Sequence, residues 1–113
     1  MALQKMPTFA GGGGNAPKLD RFTASTSTFH TTDCDFTVKE VIISAKMTSN
    51  SFAVVKYDVE NSVIYQSLDG ADFSVTTNWN GYLSCSGNTI SIKAVNAYWA
   101  VPFCLIASDQ HFS

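Results

Sequence analysis

The chain has 113 residues, which is enough for one domain with a small core. Charged residues make up 14% of it, against about 25% in an average soluble domain, whereas the hydrophobic share is ordinary at 45%. Serine, threonine and asparagine fill the deficit, so the predicted surface is neutral and rich in hydroxyl groups. The formal net charge of -2 gives no electrostatic reason to expect a nucleic-acid partner.

Residues 1–21 are predicted to form an extended arm, and residues 22–113 the folded domain. The glycines at 11–14 lose much backbone entropy on ordering and offer no side chains to bury. Leu3, Met6 and Phe9 are separated by polar residues and a proline, so neither a signal peptide nor a membrane helix is predicted. We interpret these three residues as docking anchors and expect a cytoplasmic product; a cloning remnant is the alternative.

Short β-branched and aromatic runs separated by turn residues predict strands, and no window has the spacing of an amphipathic helix. The predicted strands are 22–30, 36–46, 51–57, 62–67, 71–77, 82–86, 88–95 and 98–106. The connections are short and carry asparagine, aspartate and glycine. This pattern predicts an all-β fold, an antiparallel β-sandwich in which a jelly roll is favoured. Within 36–46 the apolar parity changes, which predicts a bulge near Lys39 and Glu40.

Two predicted strands are apolar on both sides, the run SFAVVKY and the run YWAVPFCLI. Pro102 donates no backbone hydrogen bond, so the second strand is predicted at a sheet edge or at a bulge. A bare apolar edge promotes aggregation and is usually covered by a loop or another subunit. We therefore predict a homo-oligomer, although a monomer that sandwiches both strands would also explain the pattern. The predicted interface residues are Phe52, Val54, Trp99, Val101, Phe103 and Leu105.

Few residues suggest catalysis or metal binding. The sequence lacks the common hydrolase, zinc-peptidase, P-loop and dinucleotide motifs, and His111 lies near the end of the chain, where fraying is expected. The segment HTTDCDF could form a metal loop, but a turn held by Asp33 or Asp35 is the favoured interpretation. Three cysteines without a CxxC spacing predict no disulfide framework and no zinc site, and Cys85 and Cys104 are expected to be buried thiols. No enzyme activity, metal or cofactor is predicted.

Aromatic residues leave a binding function open. Trp79 lies in NWNG, where neighbouring amides could hydrogen-bond sugar hydroxyls, and Tyr82 follows it closely. Both residues are candidate glycan contacts in a lectin-like module. The competing interpretation is that they fill a sandwich core or an oligomer interface.

The run VKEVIISAKMTSNSFAVVKYDVENSVIYQSLDGADFSV resembles the compact β-sandwich domains of tailed-phage decoration (cement) proteins and of head or tail fibres. The similarity is one of pattern over residues 38–106. It implies a non-enzymatic structural protein, a homotrimer on the capsid surface of the virion, which binds and stabilises the shell of major capsid protein. The arm would then anchor to the shell through Leu3, Met6 and Phe9. A receptor-binding or carbohydrate-binding fibre tip is the alternative.

Overall fold

The computed structural model describes residues 15–46, 51–95 and 102–111, which form nine strands and no helix. The strands are β1 (Lys18–Thr23), β2 (His30–Asp33), β3 (Glu40–Lys46), β4 (Phe52–Asp58), β5 (Val63–Leu68), β6 (Ser74–Val75), β7 (Leu83–Ser86), β8 (Thr89–Ile92) and β9 (Pro102–Ser108). The predicted all-β fold is confirmed.

The strands form two antiparallel sheets. A large sheet has the order β1-β9-β3-β4-β5-β6, and a small sheet has the order β2-β8-β7. The large sheet contains a meander, because β3, β4, β5 and β6 are neighbours in both sequence and space. The sandwich-like class is as predicted, and the jelly-roll version of it stays a prediction.

The core lies between the inner faces of the two sheets. Alternate residues of the large sheet, such as Val41, Ile43 and Leu105, are fully or almost fully buried, as are Ile90 and Ile92 of the small sheet. This alternation is the period of two expected for strands with one buried face. The remaining core residues are Ala24, Cys34, Val38, Ala45, Ala53, Val55, Ile64, Trp79, Leu83, Ala94, Phe103 and Ala107.

The parity change predicted to mark a bulge has a different cause. Residues 34–38 belong to neither sheet and run beside the β7–β8 turn, where the amides of Cys34 and Val38 donate to Asn88 and Gly87. The amide of Lys39 then donates to Ser108 at the end of β9, 2.8 Å away, and β3 begins at Glu40. The parity changes because the chain passes from the small sheet to the large one.

Several predicted boundaries are wrong. The predicted strand 22–30 is broken, since residues 24–29 connect β1 in the large sheet to β2 in the small sheet. The predicted arm, residues 1–21, overlaps β1, which begins at Lys18. Only Ser74–Val75 of the predicted strand 71–77 pair as a strand. Each error falls where serine, threonine or charged residues weaken the apolar pattern.

The strand with apolar residues on both sides is not at an edge. β9 pairs with β1 on one side and with β3 on the other. Pro102 is tolerated because it is the first residue of the strand, a position that proline can occupy in a sheet. Residues 98–101 of this predicted strand lie outside the described residues.

Candidate functional site

The face of the large sheet that points away from the small sheet, called the outer face below, is more apolar than the corresponding face of the small sheet. The register aligns one residue from each of its six strands in a row. That row consists of Leu19, Ile106, Ile42, Lys56, Tyr65 and Val75. Leu19 is 54% exposed and Val75 66% exposed. An apolar row that only Lys56 interrupts, on a solvated face, is typical of an interaction surface.

A second row runs parallel to the first. It contains Arg21, Cys104, Ser44, Val54 and Ser67. Phe52, which is 49% exposed, lies beyond it and is paired with Lys46. The apolar side chains of the outer face are therefore concentrated in the first row and at Val54 and Phe52, with Arg21 and Lys46 towards one end.

Lys56 brings a charge into the first row, but two aromatic rings lie against its ammonium group. Its Nζ lies 5.1 Å from the ring centre of Tyr65 and 5.0 Å from that of Phe73. Cation–π contacts of this kind hold an ammonium group over apolar surface. The row therefore remains a largely apolar surface despite its lysine.

The outer face of the small sheet has the opposite character. Its side chains are Thr31, Asp33, Ser84, Ser86, Thr89 and Ser91, by the alternation of the strands. The Thr89 hydroxyl donates to the Asp33 carboxylate at 2.9 Å. This face matches the hydroxyl-rich surface predicted from composition, so the two outer faces of the sandwich differ sharply in polarity.

The predicted interface residues divide between the outer face and the core. Phe52 and Val54 lie on the outer face, whereas Phe103 and Leu105 lie in the core. The prediction that Phe103 and Leu105 belong to the interface is therefore wrong. Phe103 is 2% exposed and Leu105 is fully buried, because their parity on β9 points to the small sheet. Trp99 and Val101 lie outside the described residues. The outer face has further members that local patterning does not predict, because only the strand register brings them to one face: Leu19, Ile42, Tyr65, Val75, Cys104 and Ile106.

The predicted arm anchors Leu3, Met6 and Phe9 also lie outside the described residues. Asn15, the first described residue, donates from its backbone amide and from its side chain to the Asp109 carboxylate, at 3.1 and 2.9 Å. This contact fixes the point at which the chain enters the domain. It lies beside the β1 and β9 ends of the large sheet.

The first four residues of the HTTDCDF segment, His30–Asp33, form β2, and residues 34–36 lie in the connection that follows it. His30 Nε2 lies 2.8 Å from Asp20 Oδ2, the Thr32 hydroxyl donates to the same oxygen at 2.6 Å, and the His30 ring stacks on Phe22. Burial raises the pKa of Asp20, but the hydrogen bonds from His30 and Thr32 outweigh it and hold that pKa below its ordinary value. The cluster joins the edge strands β1 and β2 of the two sheets. Within the described residues, no group of three or more acidic, histidine or cysteine side chains could hold a metal ion.

A second polar cluster surrounds His111, which is ordered rather than frayed. His111 Nδ1 lies 3.0 Å from Glu40 and 3.9 Å from Asp58, and Nε2 lies 2.7 Å from Glu60. Lys39 Nζ is 3.9 Å from the other oxygen of Glu60. Glu40 is buried, and His111 covers it at the end of the outer face opposite Lys46.

The two candidate glycan contacts, Trp79 and Tyr82, differ in their exposure to solvent. Trp79 is fully buried, its Nε1 donates to Gln66 at 2.9 Å, and its ring packs edge-on against Phe103. Tyr82 is half-buried, and Lys93 Nζ lies 5.6 Å from its ring centre. The prediction that Trp79 contacts a glycan is therefore wrong, because its ring belongs to the core.

The three cysteines are free thiols in different environments. Cys34 is buried, whereas Cys85 and Cys104 are half-buried, so the prediction that both of the latter are buried is only partly right. Burial raises the pKa of Cys34 and raises the pKa of Cys85 to about 11. Cys104 alone among them lies on the outer face.

Comparison with known proteins identifies no relative. No family model matches the chain, and neither a curated protein nor a solved structure matches it. Within the described residues there is also no helix that is long and apolar enough to span a bilayer. Function must therefore be argued from the geometry of the chain itself.

Proposed function

We propose that the protein is a non-enzymatic structural component of a virus particle, a capsid decoration protein that works as a homo-oligomer. The outer face of the large sheet carries this proposal. A sandwich that worked alone would gain nothing from exposing Leu19, Phe52 and Val75, whereas a subunit of a larger assembly buries such residues against a neighbour.

The remaining surface also suits a structural role. The small sheet presents hydroxyl groups, which hydrate well and carry little charge. The polar clusters around Asp20 and His111 tie strands and the carboxyl-terminal end of the chain together. Each has a structural explanation, and neither needs a substrate to account for it.

The shell contact is assigned to the arm. Leu3, Met6 and Phe9 would bind the major capsid protein, and the Asn15–Asp109 contact defines where the arm leaves the domain. Fourteen residues can reach about 46 Å when extended, which is enough to cross onto an adjacent subunit. The protein would be made in the host cytoplasm and assembled on the capsid surface.

Binding to emptied capsids tests this function. The purified full chain is expected to co-sediment with emptied heads of its own phage and to raise their melting temperature in the absence of host cells. Substituting Leu3, Met6 and Phe9 together by serine should abolish co-sedimentation while leaving the circular dichroism spectrum unchanged. Substituting Gln4 and Thr8 by serine is the matched control.

Two results would contradict the proposal. Capsids that neither bind the chain nor gain stability would exclude a decoration role. Binding to host cells or glycans without any effect on capsids would favour the alternative, a receptor-binding fibre tip. The burial of Trp79 weighs against that alternative, because it removes one of the two aromatic rings proposed to stack on a sugar.

A further inference from the structure

We propose that the outer face of the large sheet binds the same face of a second copy of the chain, with the strands of the two copies running in opposite directions. This inference rests on the proposed structural role and deepens it, because it names the partner of the outer face. Three observations support it: the size of the face, its composition and the charges at its two ends.

The face is large enough to pair. Five of its strands have six or seven residues. At about 4.8 Å between strands and about 3.3 Å per residue, they cover roughly 24 Å by 20 Å in projection. The accessible surface of side chains standing on such a sheet exceeds its projection of about 500 Å². Each partner in a standard interface contributes about 800 Å², which is of the same order.

The composition of the face also matches an interface. Ile42, Ile106 and Val54 lie near its centre beside the small side chains of Ser44 and Cys104, while Arg21 and Lys46 lie towards its rim. Interfaces typically combine an apolar centre with a polar rim, and two sheets can stack about 10 Å apart through such faces. The hydroxyl-rich outer face of the small sheet has no such centre, so pairing is confined to one side of the molecule.

The charges at the ends select the orientation. One end carries Glu40, Asp58 and Glu60 around His111 and Lys39. The other end carries Arg21 and Lys46, and the nearby Asp69 carboxylate accepts the Phe52 amide at 3.0 Å.

Two identical faces can stack about a two-fold axis that runs either along the strands or across them. An axis along the strands would place acidic end on acidic end. An axis across the strands places the acidic end of each copy over the basic end of the other, which is electrostatically complementary.

In the antiparallel arrangement, the β4–β5 turn that carries Glu60 comes to the end of the other copy that carries Lys46. Both copies use the same surface, so assembly stops at the dimer. This differs from the trimer that the phage resemblance implies.

Cys104 offers a direct probe without any mutation. It lies on the outer face in β9, between Arg21 and Ser44, whereas burial and raised pKa values slow the reaction of Cys34 and Cys85. Light scattering should show that the full wild-type chain passes from monomer to dimer as its concentration rises. Labelling of Cys104 by a maleimide, followed by peptide mass spectrometry, should slow about tenfold or more over the same range.

Variants separate the outer face from the rest of the surface. Ile42→Asp should remain a single copy and label rapidly at Cys104 at every concentration. Ser84→Asp, on the outer face of the small sheet, should behave like wild type. Lys46→Glu should weaken the pair about tenfold or more, and mixing it with Glu60→Lys should restore mixed pairs.

Three results would contradict the proposed dimer. These are a monomer at high concentration, a trimer, or a dimer in which Cys104 is labelled as fast as in the monomer. Protection of Cys104 that is independent of concentration and lost when Leu3, Met6 and Phe9 become serine would identify the arm as the occupant instead. Capsid binding by a chain that does not pair would reject this inference and leave the decoration role intact.

Discussion

At the scale of single residues, Trp79 shows why a turn sequence does not reveal where its aromatic ring points. The amide of Asn80 donates to Thr77 and that of Tyr82 donates to Trp79, so residues 77–82 form a tight turn. The turn directs the indole between the sheets, where Gln66 of β5 accepts its N–H. NWNG predicts the turn, but the acceptor comes from 13 residues away in sequence and no local pattern announces it.

The burial of Trp79 predicts a large effect on stability. Trp79→Ala should lower the free energy of unfolding by about 3–5 kcal/mol, because it leaves a cavity and removes the partner of Gln66. Urea denaturation followed by circular dichroism measures the change. Phe29→Ala, at a ring that is 43% exposed, is the control and should cost no more than about 1 kcal/mol. A stable Trp79→Ala protein would show that the ring is not part of the core.

At the scale of elements, β9 shows what sequence patterning can and cannot predict. Its apolar residues on both sides correctly indicate that both faces are covered or need covering. Which side is which depends on pairing with β1 and β3, and Phe103 and Leu105 turn out to face the core while Cys104 and Ile106 face outwards. Successive side chains of a strand point to opposite faces of the sheet. The pairing register therefore fixes at once which face every side chain of the strand occupies.

Neighbouring residues of β9 should therefore respond differently to truncation. Leu105→Ala should lower the free energy of unfolding by about 2–5 kcal/mol, since the side chain is fully buried between the sheets. Ile106→Ala should cost less than about 1.5 kcal/mol when measured on dilute protein, where a pair does not contribute. Urea unfolding of both variants gives the comparison, and equal losses would show that the two faces of β9 are equally enclosed.

At the scale of the whole molecule, the hydroxyl-rich surface predicted from composition is found on one of the two outer faces only. The outer face of the small sheet fits, whereas that of the large sheet exposes Leu19, Phe52 and Val75. Composition averages over both faces, so it contains no information about an asymmetry between them. The all-β class depends on the strand and turn pattern alone, which is why it was predictable while the candidate site was not.

His111 links the carboxyl-terminal end of the domain to β3, β4 and the turn that follows β4. Both of its ring nitrogens lie within hydrogen-bond distance of carboxylate oxygens, of Glu40 and of Glu60, and only an imidazolium can donate from both. The hydrogen bond to Glu60 raises the pKa of His111 above its ordinary value of 6.5, and the bond to Glu40 adds to the effect. The hydrogen bond from His111 likewise lowers the pKa of Glu60 below its ordinary value of 4.5.

These opposite shifts predict a stability contribution with a maximum in mildly acidic solution. A histidine with a raised pKa stabilises the fold fully below its unfolded pKa, and this stabilisation is lost as the pH rises through the folded pKa. Glu60 contributes above its unfolded pKa, and its share is lost as the pH falls. The difference in the free energy of unfolding between wild type and His111→Gln should therefore be largest near pH 5.5–6 and shrink above pH 7. Urea denaturation from pH 5 to pH 9, with an NMR titration of the His111 ring, measures it; a difference that grows with pH would mean that the folded protein holds the ring in its neutral form.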